Sequence, residues 1–174
     1  MRLFFALWPT AEEAEALTAR AQCWVPEGAR AVPVANLHLT VAFLGEQSEA
    51  VVPELIALGE RAALSSVDVA LEHIGVFGRA RVLWIAPRVP TAPLTNLRAR
   101  LGGVLSEVGF SVDGRRFRPH VTLARKVPSS ALEGLDLRVG EPRIAWTQSS
   151  FCLVCSRTLP TGAQYKRLWQ KGPC

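Results

Sequence analysis

Two four-residue phrases hold the side chains best suited to chemistry: His38-Leu39-Thr40-Val41 and, 82 positions later, His120-Val121-Thr122-Leu123. Alternate side chains of an extended strand point the same way, so each phrase sets an imidazole and a hydroxyl on one face and apolar residues on the other. Brought together, the two strands would share a face with two titratable nitrogens, two hydroxyls and no carboxylate from the phrases themselves. That set suits an anionic substrate. A pair of histidines can divide general acid–base work, one neutral to take a proton and one protonated to give it. Phosphodiester cleavage needs both, a base for the attacking water and an acid for the departing alkoxide. The threonine hydroxyls, with nearby arginine, could bind the charge that accumulates on the non-bridging oxygens. The third histidine, His73, has no such context and reads as structural.

Rival chemistries lack their residues. A catalytic zinc site usually takes three protein ligands, and neither phrase offers a second His, Cys or carboxylate at ligand spacing. There is no G-x-x-x-x-G-K-[ST] loop, no G-x-G-x-x-G run and no sited serine nucleophile. Cys152 and Cys155 form a C-x-x-C pair, but in a strand residues three apart face opposite ways. The four cysteines, with Cys23 and Cys174, read as free thiols. No metal and no cofactor is expected. The net charge is +5, with seventeen Arg against three Lys. Arg115, Arg116, Arg118, Arg125 and Lys126 cluster about His120. Arginine grips phosphate through a planar fork, so this density points to a phosphate-bearing partner.

Hydrophobic residues make up 49% and charged residues 20% of the 174, the composition of a folded globular chain. The apolar opening Met1–Trp8 stops at Pro9 and is followed by acidic residues, which is not the pattern of a signal peptide. No apolar run reaches the roughly 18 residues of a membrane span. The expectation is a cytoplasmic protein without membrane contact.

The elements that must position the phrases follow from periodicity. Leu3–Leu7 reads as a buried strand, and Thr10 with Glu13 forms a capping box for a helix over 11–22. Asn36–Leu44 is the first histidine strand, with Phe43 on its Leu39/Val41 face and hence expected in the core. Ser48 caps a helix running to about Leu64. Val67–Ile74 and Arg81–Ala86 read as strands, and Leu94 to Val108 as a helix that Gly109 stops. The second histidine strand follows Asp113-Gly114 and Pro119. Ile144–Val154 and Gln164–Trp169 close the chain as strands. Each half has a helix just before its histidine strand, which suggests a duplication with the phrases facing each other across a pseudo-twofold axis. The fold expected is α+β, one two-lobed domain over 1–174, with pseudo-symmetric lobes of antiparallel sheet, outer helices and the site in the cleft between them.

The sequence resembles the 2H phosphoesterase superfamily, specifically the bacterial and archaeal RNA 2′,3′-cyclic phosphodiesterases, also called 2′-5′ RNA ligases. The paired His-x-[Thr/Ser]-x motifs match both phrases. Also similar are Arg2-Leu3-Phe4-Phe5-Ala6-Leu7, Asn36-Leu37, Ala42-Phe43-Leu44-Gly45, Arg81-Val82-Leu83-Trp84, Pro119 and Arg125. The resemblance implies hydrolysis of a 2′,3′-cyclic phosphate to a 2′-phosphate. His38 would be the acid, His120 the base, and Thr40, Thr122 and Arg125 the phosphate-binding residues. The near-symmetric phrases do not themselves separate acid from base. The partners implied are RNA ends or small nucleotides carrying a cyclic phosphate, met by a monomer. Ligation by the reverse reaction, and a nucleotide- or RNA-binding module without catalysis, are the alternatives. Phe4, Phe5 and Trp84 could stack on a base or belong to the core.

Overall fold

The computed structural model describes residues 1–63, 66–111, 116–134, 144–160 and 162–172, the side chains of 132–134 excepted. Its strands are β1 (Arg2–Leu7), β2 (Arg30–Ala31), β3 (Leu39–Glu46), β4 (Val67–Leu71), β5 (His73–Phe77), β6 (Val82–Ala86), β7 (Val121–Arg125), β8 (Ile144–Gln148), β9 (Phe151–Leu159) and β10 (Gly162–Lys171). Its helices are α1 (Ala11–Ala21), α2 (Val52–Ala62), α3 (Ala92–Glu107) and α4 (Ser129–Gly134). Leu64, the Asp113-Gly114 turn, Arg115 and Cys174 lie outside the described residues.

The main sheet is open and antiparallel, in the order β10-β9-β1-β3-β7-β6-β5, with β2 added beside β7; β4 and β8 form a separate pair. One face of the main sheet meets the helices. Leu17 of α1, Leu55 of α2 and Leu94, Leu97, Leu101 and Leu105 of α3 are fully buried there with Leu3, Phe5, Leu39 and Leu83. The apolar residues of α3 recur at helical spacing, which forces one face inward. Gly109, at φ +83°, ends it as the Phe110 N–H reaches back to the Leu105 carbonyl. The capping box of α1 is present: the Glu13 N–H donates to Thr10 Oγ1 and the Thr10 N–H to the Glu13 carboxylate.

The opposite face carries a smaller apolar cluster of Phe4, Ala6, Trp8, Cys152 and Val154, with Tyr165 against it. Cys152 belongs to this cluster and Cys155 to the helix-side core, so the C-x-x-C pair is split across the sheet.

Three expectations need correction. Val67–Ile74 is two strands in two sheets: Leu71 and Ile74 are both buried, and residues three apart cannot share a strand face, so the chain turns at Glu72. Ile144–Val154 likewise divides at Ser149-Ser150. There the buried Gln148 amide donates to the Trp8 carbonyl and accepts from the Trp146 indole. The first histidine strand begins at Leu39, because Val34–Asn36 forms a 3-10 turn.

Candidate active site

The two phrases meet at one residue pair. β3 and β7 are joined antiparallel through Leu39 and Val121, the residues that follow the two histidines. Extended one residue each way, that register sets His38 opposite Thr122 and Thr40 opposite His120, with a local twofold axis at the pair. The elements around it obey the same axis: β1-α1-β3 on one side, β6-α3-β7 on the other.

Each histidine strand also carries a bulge at the residue after its threonine. β1 pairs Phe5 with Ala42 and Ala6 with Thr40, leaving Val41 extra. β6 pairs Leu83 with Ala124 and Trp84 with Thr122, leaving Leu123 extra. A bulge shifts every later side chain to the other face. Val41 and Ala42, like Leu123 and Ala124, are therefore consecutive buried residues, and the next position on each strand turns to the site face. Those positions are Phe43 and Arg125. Phe43 is thus 42% exposed, where strict alternation had placed it in the core. The guanidinium of Arg2 lies 5.3 Å from its ring centroid.

A cavity of about 790 Å³ opens over this face. His38, Thr40, Thr122 and Arg125 line it with Phe4 and Phe43, and the β9–β10 hairpin contributes Tyr165. His120 is partly buried and is not among the lining residues; its ring packs edge-on against Phe77 at 5.1 Å and lies 6.4 Å from Trp84. His73 is exposed and meets the edge of Trp84. Of the stacking candidates, Phe5 is core, Phe4 lies beneath His38, and Trp84 sits opposite Thr122.

Both imidazoles are held alike. His38 Nδ1 lies 2.7 Å from the Asn36 carbonyl and His120 Nδ1 2.8 Å from the Arg118 carbonyl. A carbonyl only accepts, so each Nδ1 carries hydrogen and each neutral ring leaves its lone pair on Nε2. Their surroundings differ. His38 is stacked by Trp8 at 5.0 Å, with Phe4 and Tyr165 at 5.1 and 5.0 Å. Trp8 follows Leu7, which pairs with Leu39; the residue that follows Ile85, which pairs with Val121 on the other side of the axis, is Ala86, with no ring. Burial among these rings lowers His38 to about 4, opposed by the bond to Asn36 and reinforced by the charges of Arg125 and His120. Burial also lowers His120, opposed by Arg118 and reinforced by Arg125. The indole face stacked on His38 favours the imidazolium once it forms.

Trp8 and Tyr165 escaped the sequence reading, which assigned Phe43 to the core. Only Phe43 had a local signal: it holds the same place after Thr40 that Arg125 holds after Thr122. Among the described residues, no group of three His, Cys, Asp or Glu side chains is placed to hold a metal ion, and no helix is long and apolar enough to cross a membrane.

An open α+β sheet bearing two His-x-Thr strands about a local twofold defines a phosphoesterase of the two-histidine class. Residues 7–157 match the family model of the 2'-5' RNA ligase superfamily, and the chain belongs to that family. It is 38% identical over 125 residues to the RNA 2',3'-cyclic phosphodiesterase of Escherichia coli, covering 71% of each chain. It is 35% identical over 182 residues to the protein of that name from Thermus thermophilus, covering 95% of this chain and 86% of the other. The crystal structure of E. coli LigT complexed with 3'-AMP superposes with a TM-score of 0.80 at 30% identity, over 98% of this chain and 97% of that one.

Proposed function

We propose that the chain is a metal-independent RNA 2′,3′-cyclic phosphodiesterase that opens cyclic phosphates on RNA ends or small nucleotides to a 2′-phosphate. One observation carries the reading. The Leu39–Val121 pair sets two imidazoles and two threonines about a single axis, each ring pinned at Nδ1 with Nε2 left for a proton. The shared name of the relatives from E. coli and T. thermophilus supports the substrate class.

In this reading His120 Nε2 takes a proton from water as its oxygen attacks phosphorus. The bond from phosphorus to the 3′ oxygen breaks, and His38 Nε2 delivers the proton that oxygen needs. The assignment of His38 as acid and His120 as base rests on the family resemblance. Burial among Trp8, Phe4 and Tyr165 lowers His38 in the free protein, so the acid role needs a proton gained as substrate binds. Thr40 and Thr122 donate to the non-bridging oxygens, and Arg125 offsets their charge. Burial lowers both histidines and the Arg125 charge adds to it; a bound phosphate offsets that charge and favours their protonated forms. Phe43 offers an exposed ring face to a base.

His38→Ala and His120→Ala are each expected to lower kcat by about 10²–10⁴-fold on an oligonucleotide ending in a 2′,3′-cyclic phosphate. Full activity in either variant would overturn the mechanism.

A further inference from the structure

β2 is only two residues long, and its pairing is chemically odd. Arg30 stands directly opposite Arg125 on β7. Like charges facing each other across a ladder are destabilising. Both arginines are exposed, both line the cavity, and neither makes an ion pair with any described residue. The arrangement makes physical sense when anions lie between and beyond them.

Two further observations show that this edge is held in place. Arg30 rests against the tip of the β9–β10 hairpin, where a Cβ at Gly162, at φ +134°, would come within 2.8 Å of the guanidinium. Next to Arg125, Lys126 and Arg81 both adopt left-handed backbone, at φ +55° and +52°. Such strain persists only where the surroundings enforce it. Here Arg81 Nε donates to the Val127 carbonyl at 2.8 Å, and the Val127 N–H donates to the Arg81 carbonyl at 3.1 Å. Arg81 is spent on this clasp. Lys126, the residue after Arg125, is left exposed on the same cavity wall that Arg30 lines.

We propose that Arg30, with Lys126, forms a subsite for the phosphodiester immediately 5′ of the cyclic end, so that the favoured substrate is an RNA strand of two or more nucleotides. The inference rests on the reading of the cavity as a cyclic-phosphate site, in which Arg125 faces the terminal phosphate. Neighbouring strands lie about 4.8 Å apart, and the two long side chains can splay from there to meet consecutive phosphates of one strand.

The test compares adenosine 2′,3′-cyclic phosphate with the adenine dinucleotide that ends in it. Wild-type kcat/KM is expected to favour the dinucleotide. In Arg30→Gln that preference should fall about tenfold, through KM, as loss of one charge-assisted contact implies. The salt dependence for the dinucleotide should lose about 0.7 of a counterion. Arg30→Lys should restore most of both. Equal losses on the two substrates, or an unaltered ratio, would overturn the subsite. Calorimetric binding of the corresponding mono- and dinucleotide 2′-phosphates separates this inference from the hydrolysis reading. If the protein turns over neither substrate yet binds the dinucleotide better, and Arg30→Gln removes that advantage, the subsite stands and hydrolysis falls. If wild type shows no advantage in binding, the subsite falls.

Discussion

At the scale of single residues, the two histidines are near copies in sequence and unequal in place. Trp8 stacks on His38 whereas Phe77 meets His120 edge-on, and Arg125 acts on both. In the free protein both titrate below the ordinary value of about 6.5. In the proposed mechanism catalysis needs one proton on the pair, so the bell in kcat/KM should peak below pH 6.5, between the two lowered values. A bound phosphate favours both imidazolium forms and raises both values, so the bell in kcat should lie at higher pH. Measuring both profiles from pH 4 to 9 checks this. A kcat/KM optimum above pH 7, or a flat profile, would contradict it. The shared face of His38 and Thr40 was legible in the sequence because a two-residue spacing on a strand is a geometric statement; His120, by contrast, is not among the cavity-lining residues that Thr122 joins. Trp8 and Tyr165 were not legible, since their approach to His38 depends on which strands become neighbours.

At the scale of elements, the twin bulges decide what the cavity contains. Alternation along β3 predicts Phe43 in the core; the extra residue Val41 turns it out, as Leu123 does for Arg125. No residue type in either strand announces a bulge, so this register could not be read beforehand. The strand breaks at Glu72 and Ser149-Ser150 had a partial signal in the changed phase of the buried positions. The second half-sheet depends on another close approach. Trp84, opposite Thr122, lies across Gly75 of β5, and an added Cβ there would fall inside the indole. Gly75→Ala should therefore cost about 1–3 kcal/mol in urea unfolding and lower kcat by displacing the ring beside His120. Unchanged stability and rate would show that Trp84 has room to move.

At the scale of the molecule, the sheet has one face for cohesion and one for chemistry. Helices α1, α2 and α3 cover the first, and the arginine-rimmed cavity occupies the second. The repeat of strand, helix and histidine strand was visible in the sequence, whereas the joining of the halves through a single pair was not. The most direct measurement is the identity of the phosphorylated terminus formed from a cyclic-ended oligonucleotide in EDTA. The expected product is a 2′-phosphate, formed at an undiminished rate in the chelator. A 3′-phosphate, or activity that disappears with the metal, would contradict it.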